Sequence, residues 1–551
     1  MIFKAISEFN RRKKPNCLLI TPPLLEPQTF YLAAPLLTGQ LVAKGYNAKN
    51  FDLNIKFFRT VLSKNYIKKT GKLLDSKNIP YDKENFDFLL NNVEAAISVC
   101  FGENNEKENE DAKKILHSVL EFISLPYPSF NLNSFSGFEH CFDNFEYSYK
   151  EIKDMSFDKE RNIFISFFED IINEISEQRI DFVGITIPFP GTAIPALTLA
   201  RLLKEKTNIH VSLGGGFIRP QSLLNNPEFF DIYCDSVLIG DGEESIVELV
   251  KVLENRQKNE KVPGLIYKNK KNKIVFNPPK PITTMNNIAN VSLDGINLKE
   301  YAKNTPDTYL MISKGCYWGK CVFCSLGIKY GRYCIKSPEK VVSHIKELQE
   351  KYQIGNWIQF QDDAIPPAYL DKLADEIIKQ ELNIYYFIFG RLEKEFNKEL
   401  LRKLHKSGLR SVYWGLESGC QSVLDAMNKG IKLENVSQIL KDSYEVGISN
   451  MVGLIVNFPT ETIEEYFETL SFLKTIEKYV VISPGNFSMM ENSIVEKEYK
   501  KYGINIVSYN DFNHMNKWDD TNIDPGLRQW KWNNFCDYVK NGEYQIDPKR
   551  F

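Results

Sequence analysis

The sequence predicts an α/β protein with two successive parallel sheets and a small C-terminal cap. Short apolar runs alternate with stretches of helical periodicity in both halves of the 551 residues, and this alternation is typical of βαβ units. Several runs end in glycine or proline, as strands do where they open onto ligand loops. From about residue 306 at least five such units follow one another, which predicts part of a parallel (β/α) barrel.

The composition is typical of a globular protein without a polyanionic partner. Hydrophobic residues make up 43% and charged residues 25% of the chain, and the formal charge is −2. This small charge gives no electrostatic reason to expect a nucleic acid or a membrane as partner. No apolar run reaches the roughly 18 residues that span a membrane, and prolines interrupt the segment after the basic run at 11–14, so no signal peptide is expected.

The first sheet is predicted from strands at 16–21, 48–52, 181–187, 210–213 and 236–239, with helices at 32–42 and 196–204 and one ending at 253. The carboxyl ends of parallel strands share one edge, which forms the ligand crevice, and glycine allows close approach of the backbone to a large ligand. A glycine run alone also fits a tight turn. The residues predicted to bind a cofactor at this edge are Pro22, Pro23, Asp52, Thr186, Gly214, Gly215, Gly240, Asp241, Gly242 and Glu243.

Two segments do not follow the strand and helix alternation. Residues 55–178 are rich in Lys, Glu, Asn and Phe, with helical pieces at 94–98, 112–123 and 163–175, and are interpreted as a helical insertion. Residues 256–305 contain a probable hairpin and a proline-rich stretch, which indicate a connector. The predicted division is 1–255, 256–305, a barrel at 306–486 and a cap at 487–551.

The barrel is predicted from strands ending at 313, then at 357–361, 384–389, 411–414 and 451–456, with helices at 338–351, 369–380, 398–407, 421–427, 433–446 and 463–475. Catalytic groups of such barrels lie at the carboxyl ends of the strands. A cysteine-rich loop follows the first of these strands.

That loop places Cys316, Cys321 and Cys324 within nine positions, beside Gly315 and Gly319. Three close thiolates leave one coordination position of a metal open, which is typical of catalytic sites. The alternative is a zinc site completed by Cys334 or His344. The other seven cysteines are scattered singly and form no disulfide framework, so a reducing compartment, the cytoplasm, is expected.

The motifs of the second half resemble those of radical S-adenosylmethionine (SAM) enzymes. They are Gly-Cys-Tyr-Trp-Gly-Lys-Cys-Val-Phe-Cys at 315–324, Phe-Gln-Asp-Asp at 360–363, Gly-Leu-Glu-Ser-Gly at 415–419 and Gly-Leu-Ile-Val-Asn-Phe-Pro at 453–459. The first half is similar to the Rossmann-like cobalamin-binding domain that precedes the barrel in the cobalamin-dependent branch, through Gly-Asp-Gly-Glu-Glu at 240–244 and the loop at 22–23. The resemblance covers roughly 15–55 and 180–495.

The resemblance implies a set of cofactors and a role for individual residues. The three cysteines would hold a 4Fe–4S cluster, and Gln361 or Asp362 would orient the methionyl amine of SAM. Glu417 would contact the ribose, Arg391 the methionyl carboxylate, and Phe323 the adenine, beside a strand that carries Gly453 and Pro459. Purely structural roles for some of these residues stay open as alternatives. They are Asp362 as a loop cap, Glu417 as a buried ion-pair partner, and Tyr317 and Trp318 as core aromatics.

Two departures from the family pattern concern metal ligands. Four residues separate Cys316 from Cys321, whereas the commonest family loop has three. Many cobalamin domains of the family carry Asp-x-His-x-x-Gly, whose histidine ligates cobalt, but here Asp52 is followed by Asn54 and Phe57. The resemblance therefore implies a cobalt face without that histidine.

The predicted function is that of a cobalamin-dependent radical SAM enzyme, in which reductive cleavage of SAM gives an adenosyl radical, with methyl transfer to an unactivated carbon. The alternatives are a radical rearrangement or cyclisation, and a cobalamin-binding sensor that has lost catalysis. A flavodoxin or ferredoxin is the expected electron donor, and the substrate is a small molecule or peptide. The aromatic residues of 487–551 form either part of the substrate pocket or a helical cap on the core.

Overall fold

The computed structural model describes residues 14–101, 110–128, 130, 132, 142, 145–255, 261–301, 307–326, 332–508, 517–520 and 524–542. Predictions on 1–13 and 543–551 lie outside these residues. The described residues form two compact units. The first contains those up to 280 and those of 288–308, and the second those of 281–287 and nearly all from 309 onward.

The first unit is built on a seven-stranded sheet with the order β2-β1-β3-β4-β5-β6-β7. The first five strands are parallel, and β6 and β7 add antiparallel pairs at one edge. The strand order changes direction between β1 and β3, and ligand crevices of parallel sheets form at such a switch point. The strands are β1 (Asn16–Thr21), β2 (Asn47–Asp52), β3 (Phe182–Thr186), β4 (His210–Gly214), β5 (Ser236–Leu238), β6 (Leu265–Lys268) and β7 (Ile274–Phe276).

Helices of the first unit pack on this sheet and fill the predicted insertion. Buried Cys17 and Leu19 of β1 share a core with Leu41 and Leu249, which lie on the first and last of these helices. In the part of this segment that the structure describes, six helices, α2 to α7, lie between β2 and β3. The helices are α1 (Ala33–Ala43), α2 (Leu53–Val61), α3 (Lys64–Ser76), α4 (Lys83–Phe101), α5 (Glu110–Ser124), α6 (Tyr149–Phe157), α7 (Ile163–Ser176), α8 (Pro190–Lys206), α9 (Pro220–Asn225), α10 (Phe229–Ile232) and α11 (Gly242–Asn255).

Part of the predicted connector packs along β2. The backbone N–H of Asn50 donates to the carbonyl of Asp294 at 2.8 Å, and its side-chain amide donates to the carbonyl of Ser292 at 2.7 Å. These bonds provide hydrogen-bond partners at β2, which is an edge strand of the sheet. Residues 292–294 therefore belong to the first unit rather than to a free linker.

The second unit is built on a six-stranded sheet with the order β15-β14-β13-β12-β11-β8. The pairs from β11 to β15 are parallel. The first predicted barrel strand is split, since β8 is followed by β9, which pairs antiparallel with β10. The strands are β8 (Thr308–Leu310), β9 (Ser313–Lys314), β10 (Cys334–Ile335), β11 (Trp357–Phe360), β12 (Tyr385–Gly390), β13 (Leu409–Glu417), β14 (Ser449–Val456), β15 (Val481–Asn486), β16 (Ile504–Ser508) and β17 (Lys517–Asp520).

Helices alternate with the strands of this sheet, as predicted. The helices are α12 (Pro338–Tyr352), α13 (Pro367–Lys379), α14 (Lys398–Lys406), α15 (Gln421–Ala426), α16 (Leu433–Glu445), α17 (Ile463–Ile476), α18 (Ile494–Lys497) and α19 (Pro525–Asn541). None of the described helices is both long and apolar enough to cross a membrane.

The C-terminal helix α19 is fastened to the barrel by a buried ion pair. The Lys531 ammonium lies 2.6 Å from the Glu461 carboxylate, and both side chains are almost fully buried. The Tyr466 hydroxyl donates to the Lys531 carbonyl at 3.1 Å. Removing one partner of a buried ion pair would leave an uncompensated charge. The pair therefore ties α19 to the rest of the second unit. Its contribution to a substrate pocket stays a prediction.

Candidate cofactor sites

The loop from Cys316 to Cys324, here called the cluster loop, is shaped by two glycines and a tight turn. Gly315 and Gly319 have φ angles of +76° and +62°, a region that favours glycine. The N–H of Cys324 donates to the carbonyl of Cys321 at 3.2 Å. All three cysteines are free, and none is fully buried.

The turn at 427–430, between α15 and α16, holds the cluster loop in place. Three successive carbonyl oxygens of this turn accept hydrogen bonds, two from the cluster loop and one from the residue that follows β12. The donor and acceptor pairs are Val322 N and Met427 O at 3.0 Å, Trp318 Nε1 and Asn428 O at 2.9 Å, and Arg391 Nη2 and Lys429 O at 2.6 Å. The sequence predicted the two flanking helices but gave no role to this turn.

The Trp318 ring lies between the 427–430 turn and the guanidinium group of Arg391. A Cβ atom on Gly430, whose φ is +73°, would lie 2.2 Å from the Trp318 ring. The Arg391 guanidinium carbon lies 4.6 Å from the centre of the same ring. Glycine is therefore required at 430 by the close approach of the indole, and Trp318 couples the cluster loop to Arg391.

Arg391 is buried and engaged with protein groups. Its Nε lies 2.9 Å from the Glu393 carboxylate, and Glu393 also accepts a hydrogen bond from the Tyr317 hydroxyl at 2.9 Å. Arg391 thus braces the cluster loop, in addition to the predicted role toward a methionyl carboxylate.

Glu417, at the end of β13, forms an ion pair with Lys429. The Lys429 Nζ lies 2.7 Å from Glu417 Oε1, and the two side chains are 8% and 14% exposed. Glu417 has a φ of +70°, which costs free energy for a residue with a side chain. A Cβ on Gly415 would lie 2.8 Å from both charged atoms. The pair therefore depends on glycine at 415, and the alternative of a buried ion-pair partner describes Glu417 in this structure.

Two of the cluster-loop thiols have raised pKa values. Burial raises the pKa of Cys324 to about 11. Burial also raises the pKa of Cys321, while the positive charges of Lys429 and Arg391 act in the opposite direction. Since thiolates are the metal ligands, metal uptake here releases protons, and both cations favour it.

Asp362 fixes the start of the cluster loop. Its Oδ1 accepts hydrogen bonds from the N–H of Ile312 at 3.1 Å and from the N–H and hydroxyl of Ser313. Burial raises the pKa of Asp362 to about 7. The neighbouring Gln361 donates its N–H to the carbonyl of Leu310 at 2.7 Å. Asp362 thus holds the backbone at Ser313, three residues before Cys316, and these bonds differ from the predicted alternative of a cap on the loop that follows Asp362.

The adenine-side residues predicted from the sequence have different neighbours. Phe323 packs against a core cluster that includes Phe458, next to Pro459. A Cβ on Gly453 would lie 2.5 Å from the Tyr413 hydroxyl. The contact explains glycine at 453 by packing within the protein.

The proposed zinc partners are engaged elsewhere. The Cys334 thiol donates to the carbonyl of Ile282 at 3.5 Å. Burial and the charge of Lys336 lower the pKa of His344 to about 3. Within the described ranges, no group of three His, Cys, Asp or Glu side chains is placed to hold one metal ion.

The crevice of the first unit is shaped by the loops after β3 and β4. The N–H of Ile187, next to Thr186, donates to the carbonyl of Gly214 at 2.7 Å. Gly215 has a φ of +112°, and a Cβ there would lie 2.5 Å from the Ile187 carbonyl oxygen. These loops therefore run side by side at the switch point, next to the end of β1 where Pro22 and Pro23 follow.

The loop after β5 also depends on glycine. Gly240 has a φ of +87°, and a Cβ there would lie 2.9 Å from Pro279. Gly242 opens α11 close to Leu37, and Glu243 beside it is buried. Asp241 accepts a hydrogen bond from the Ser245 hydroxyl at its carbonyl, at 3.2 Å. Residues 240–243 therefore form a closely packed loop at the edge of the sheet where a cofactor is predicted to bind.

Asp52 and Asn54 fix neighbouring backbone segments. Asp52 caps α2 by accepting the N–H groups of Asn54 and Ile55 at 2.9 and 3.1 Å, and it accepts the Tyr301 hydroxyl at 2.5 Å. Burial raises the pKa of Asp52 to about 6. Asn54, at the position of the family's cobalt-ligating histidine, accepts the N–H of Leu25 at 2.7 Å. Both side chains therefore have partners within the protein.

Residues 310–473 match the family model of the Radical SAM superfamily. This range begins at the end of β8 and ends within α17. It thus contains the cluster loop, Asp362, Arg391, Glu417 and the 427–430 turn.

Two relatives each align with 61% of this chain. An uncharacterized methyltransferase of Pyrococcus horikoshii is 29% identical over 356 residues, which are 61% of this chain and 75% of the relative. The anaerobic magnesium-protoporphyrin IX monomethyl ester cyclase of Rubrivivax gelatinosus is 25% identical over 372 residues, which are 61% of this chain and 65% of the relative. The second alignment spans slightly less than two thirds of that enzyme.

Two solved structures share the fold over nearly the whole chain. The cobalamin-dependent SAM radical enzyme OxsB, with aqua-cobalamin and SAM bound, has a TM-score of 0.62 and 15% identity over 96% of this chain and 67% of that chain. The radical SAM methyltransferase TsrM of Kitasatospora setae, with cobalamin and a 4Fe–4S cluster bound, has a TM-score of 0.58 and 14% identity over 97% of this chain and 90% of that chain. The predicted fold class is confirmed.

Proposed function

We propose that this chain, which carries a radical SAM domain and has the fold of cobalamin-dependent radical SAM enzymes, transfers a methyl group to an unactivated carbon. The observation that carries the proposal is the braced cluster loop, with Cys316, Cys321 and Cys324 beside Glu417 and two cations. The cluster loop comes after β8 and β9, Arg391 follows β12 and Glu417 ends β13, and barrel enzymes place their chemistry at the carboxyl ends of such strands.

The donor set fits an iron–sulfur cluster. Thiolates are soft ligands that suit iron–sulfur clusters, and three of them leave one iron for another ligand. The glycines of the loop allow its tight path, and Lys429 and Arg391 offset the negative charge that the thiolates bring. When bound, such a cluster supplies the electron that cleaves the carbon–sulfur bond of SAM, and cobalamin supplies the methyl group.

The first unit fits a large cofactor at its switch point. Gly215 and Gly240 let the loops after β4 and β5 approach Ile187 and Pro279 closely, and glycine in such loops is typical of backbone that approaches a large ligand. Asn54 holds the loop after Pro23. We infer that this chain offers cobalamin no imidazole ligand from position 54.

A cyclisation is the second candidate, because one relative is named a cyclase. The enzyme from Pyrococcus horikoshii is named a methyltransferase, so methyl transfer is the first choice. The sensor alternative requires loss of catalysis, whereas all three cysteines and Glu417 are present. A flavodoxin or ferredoxin is the proposed reductant, and the cytoplasm, which keeps thiols reduced, the proposed location.

Anaerobic reconstitution of the full chain tests the proposal. We expect about four iron and four sulfide per chain, as one cluster requires, a cobalamin absorbance spectrum, and 5′-deoxyadenosine after reduction in the presence of SAM. A loaded cluster without deoxyadenosine would overturn the radical mechanism. SAM labelled in its methyl group then separates the two candidates, since a cyclase leaves the substrate unlabelled.

A further inference from the structure

We propose that Lys429 is a positioning residue that raises the reduction potential of the cluster, because its buried ammonium belongs to the turn that holds the cluster loop and its charge is set against Glu417. This inference rests on the proposed function, since it requires a cluster at the three cysteines.

The location of Lys429 is fixed by contacts on both sides. Its carbonyl accepts the Arg391 guanidinium at 2.6 Å, and its ammonium lies 2.7 Å from Glu417. The two preceding carbonyls of the turn accept donors from Trp318 and Val322, and Val322 directly follows Cys321. The charge is thus held at a defined place in the turn that contacts the cluster loop on both sides of Cys321.

Burial makes this charge effective. The Lys429 side chain is only 8% exposed, so water and salt screen it weakly, and an interaction between charges is stronger than at the surface. Lys432, three residues further along the chain and outside the turn, has a side chain that is 61% exposed. The chain therefore offers an exposed lysine close in sequence to the buried one.

The charge change on reduction gives the direction of the effect. One electron from a low-potential reductant enters the oxidised cluster, no bond forms or breaks, and the site gains one negative charge. A nearby cation stabilises the reduced state and an anion destabilises it, and cluster potentials depend on such local charge. Removal of Lys429 should therefore lower the potential, and neutralisation of Glu417 should raise it.

A redox titration of the reconstituted full chain, followed by electron paramagnetic resonance without SAM, tests the inference. For K429M we expect about a tenfold lower ratio of reduced to oxidised cluster at a fixed potential, which for one electron is a 59 mV lower midpoint. K429R should keep the wild-type midpoint because it keeps the charge. E417Q should shift the midpoint upward, and the exposed control K432M should leave it nearly unchanged.

Opposite shifts of K429M and E417Q distinguish an electrostatic role from a structural one, because both variants break the same ion pair. Equal midpoints in wild type and K429M, or shifts of both variants in the same direction, would overturn the inference. If K429M takes up no cluster, the midpoint of E417Q decides whether the inference holds. An E417Q midpoint equal to or lower than that of the wild type counts against the inference. If the wild-type chain binds no iron or sulfide, the proposed function itself fails.

Discussion

The two candidate cofactor sites are built from different kinds of groups. The cluster loop lies among two ion pairs, buried Lys429 with partly buried Glu417 and buried Arg391 with partly buried Glu393. The crevice of the first unit is shaped mainly by glycine backbone, with Gly215 and Gly240 in the left-handed region. A redox centre needs control of local charge, whereas a large cofactor needs space. The two sites should therefore respond to different substitutions.

The largest effect is expected from loss of a cluster ligand. In C321A the cluster keeps two thiolates, so iron and sulfide content should fall to near zero while cobalamin binding persists. Iron analysis and absorbance spectra measure both. Cys100 in α4 is also free and partly exposed, and C100A should load normally. Normal loading of C321A would refute the assignment of the cluster loop.

The next effect tests the brace of the cluster loop. In G430A the new Cβ would meet the Trp318 ring, whereas Gly542 has the same φ of +73° with nothing within 4 Å of its Cβ position. G542A should lower the free energy of unfolding by roughly 1 kcal/mol through the left-handed backbone. G430A should cost about 2 kcal/mol more through the clash and reduce cluster loading. Equal denaturant midpoints of the two variants would argue against the brace.

A matched pair of glycines probes the crevice. G215A places a Cβ 2.5 Å from the Ile187 carbonyl oxygen, and at Gly216 the nearest atom is 3.4 Å away. We expect the dissociation constant for cobalamin to rise on the order of tenfold in G215A, about 1.4 kcal/mol, and to change little in G216A. Equilibrium dialysis measures it, and cluster loading should stay unchanged in both. Equal affinities would place the cofactor elsewhere.

The last effect concerns pH. Burial raises the pKa of Asp52 from 3.8 to about 6, so the protonated form favours the folded state. Its contribution is fully present below pH 3.8 and is lost as pH rises through about 6, by roughly 3 kcal/mol at most. D52N should flatten the pH dependence of thermal unfolding in this window. The exposed D75N is the control, and an unchanged slope in D52N would contradict the shifted pKa.

Patterns of apolar residues and motifs predicted both sheets and the cluster cysteines, because strand periodicity and thiolate spacing depend on the types of side chain along the sequence. The 427–430 turn was missed because its hydrogen bonds use carbonyl oxygens, which every residue has. Lys429 carried no signal either, since its partner Glu417 is twelve residues away across α15. Asp52 was predicted to bind a cofactor, but an aspartate after a strand is equally suited to cap the next helix.

The distance along the chain between the cluster loop and its brace has a consequence for biosynthesis. Trp318 and Asn428 are 110 residues apart in sequence. While the ribosome is making the intervening strands, the cysteines have emerged but the carbonyl oxygens that hold their loop have not. We therefore expect iron–sulfur assembly factors to deliver the cluster only after residue 430 has left the ribosome, and a nascent chain stalled before that point to stay without iron.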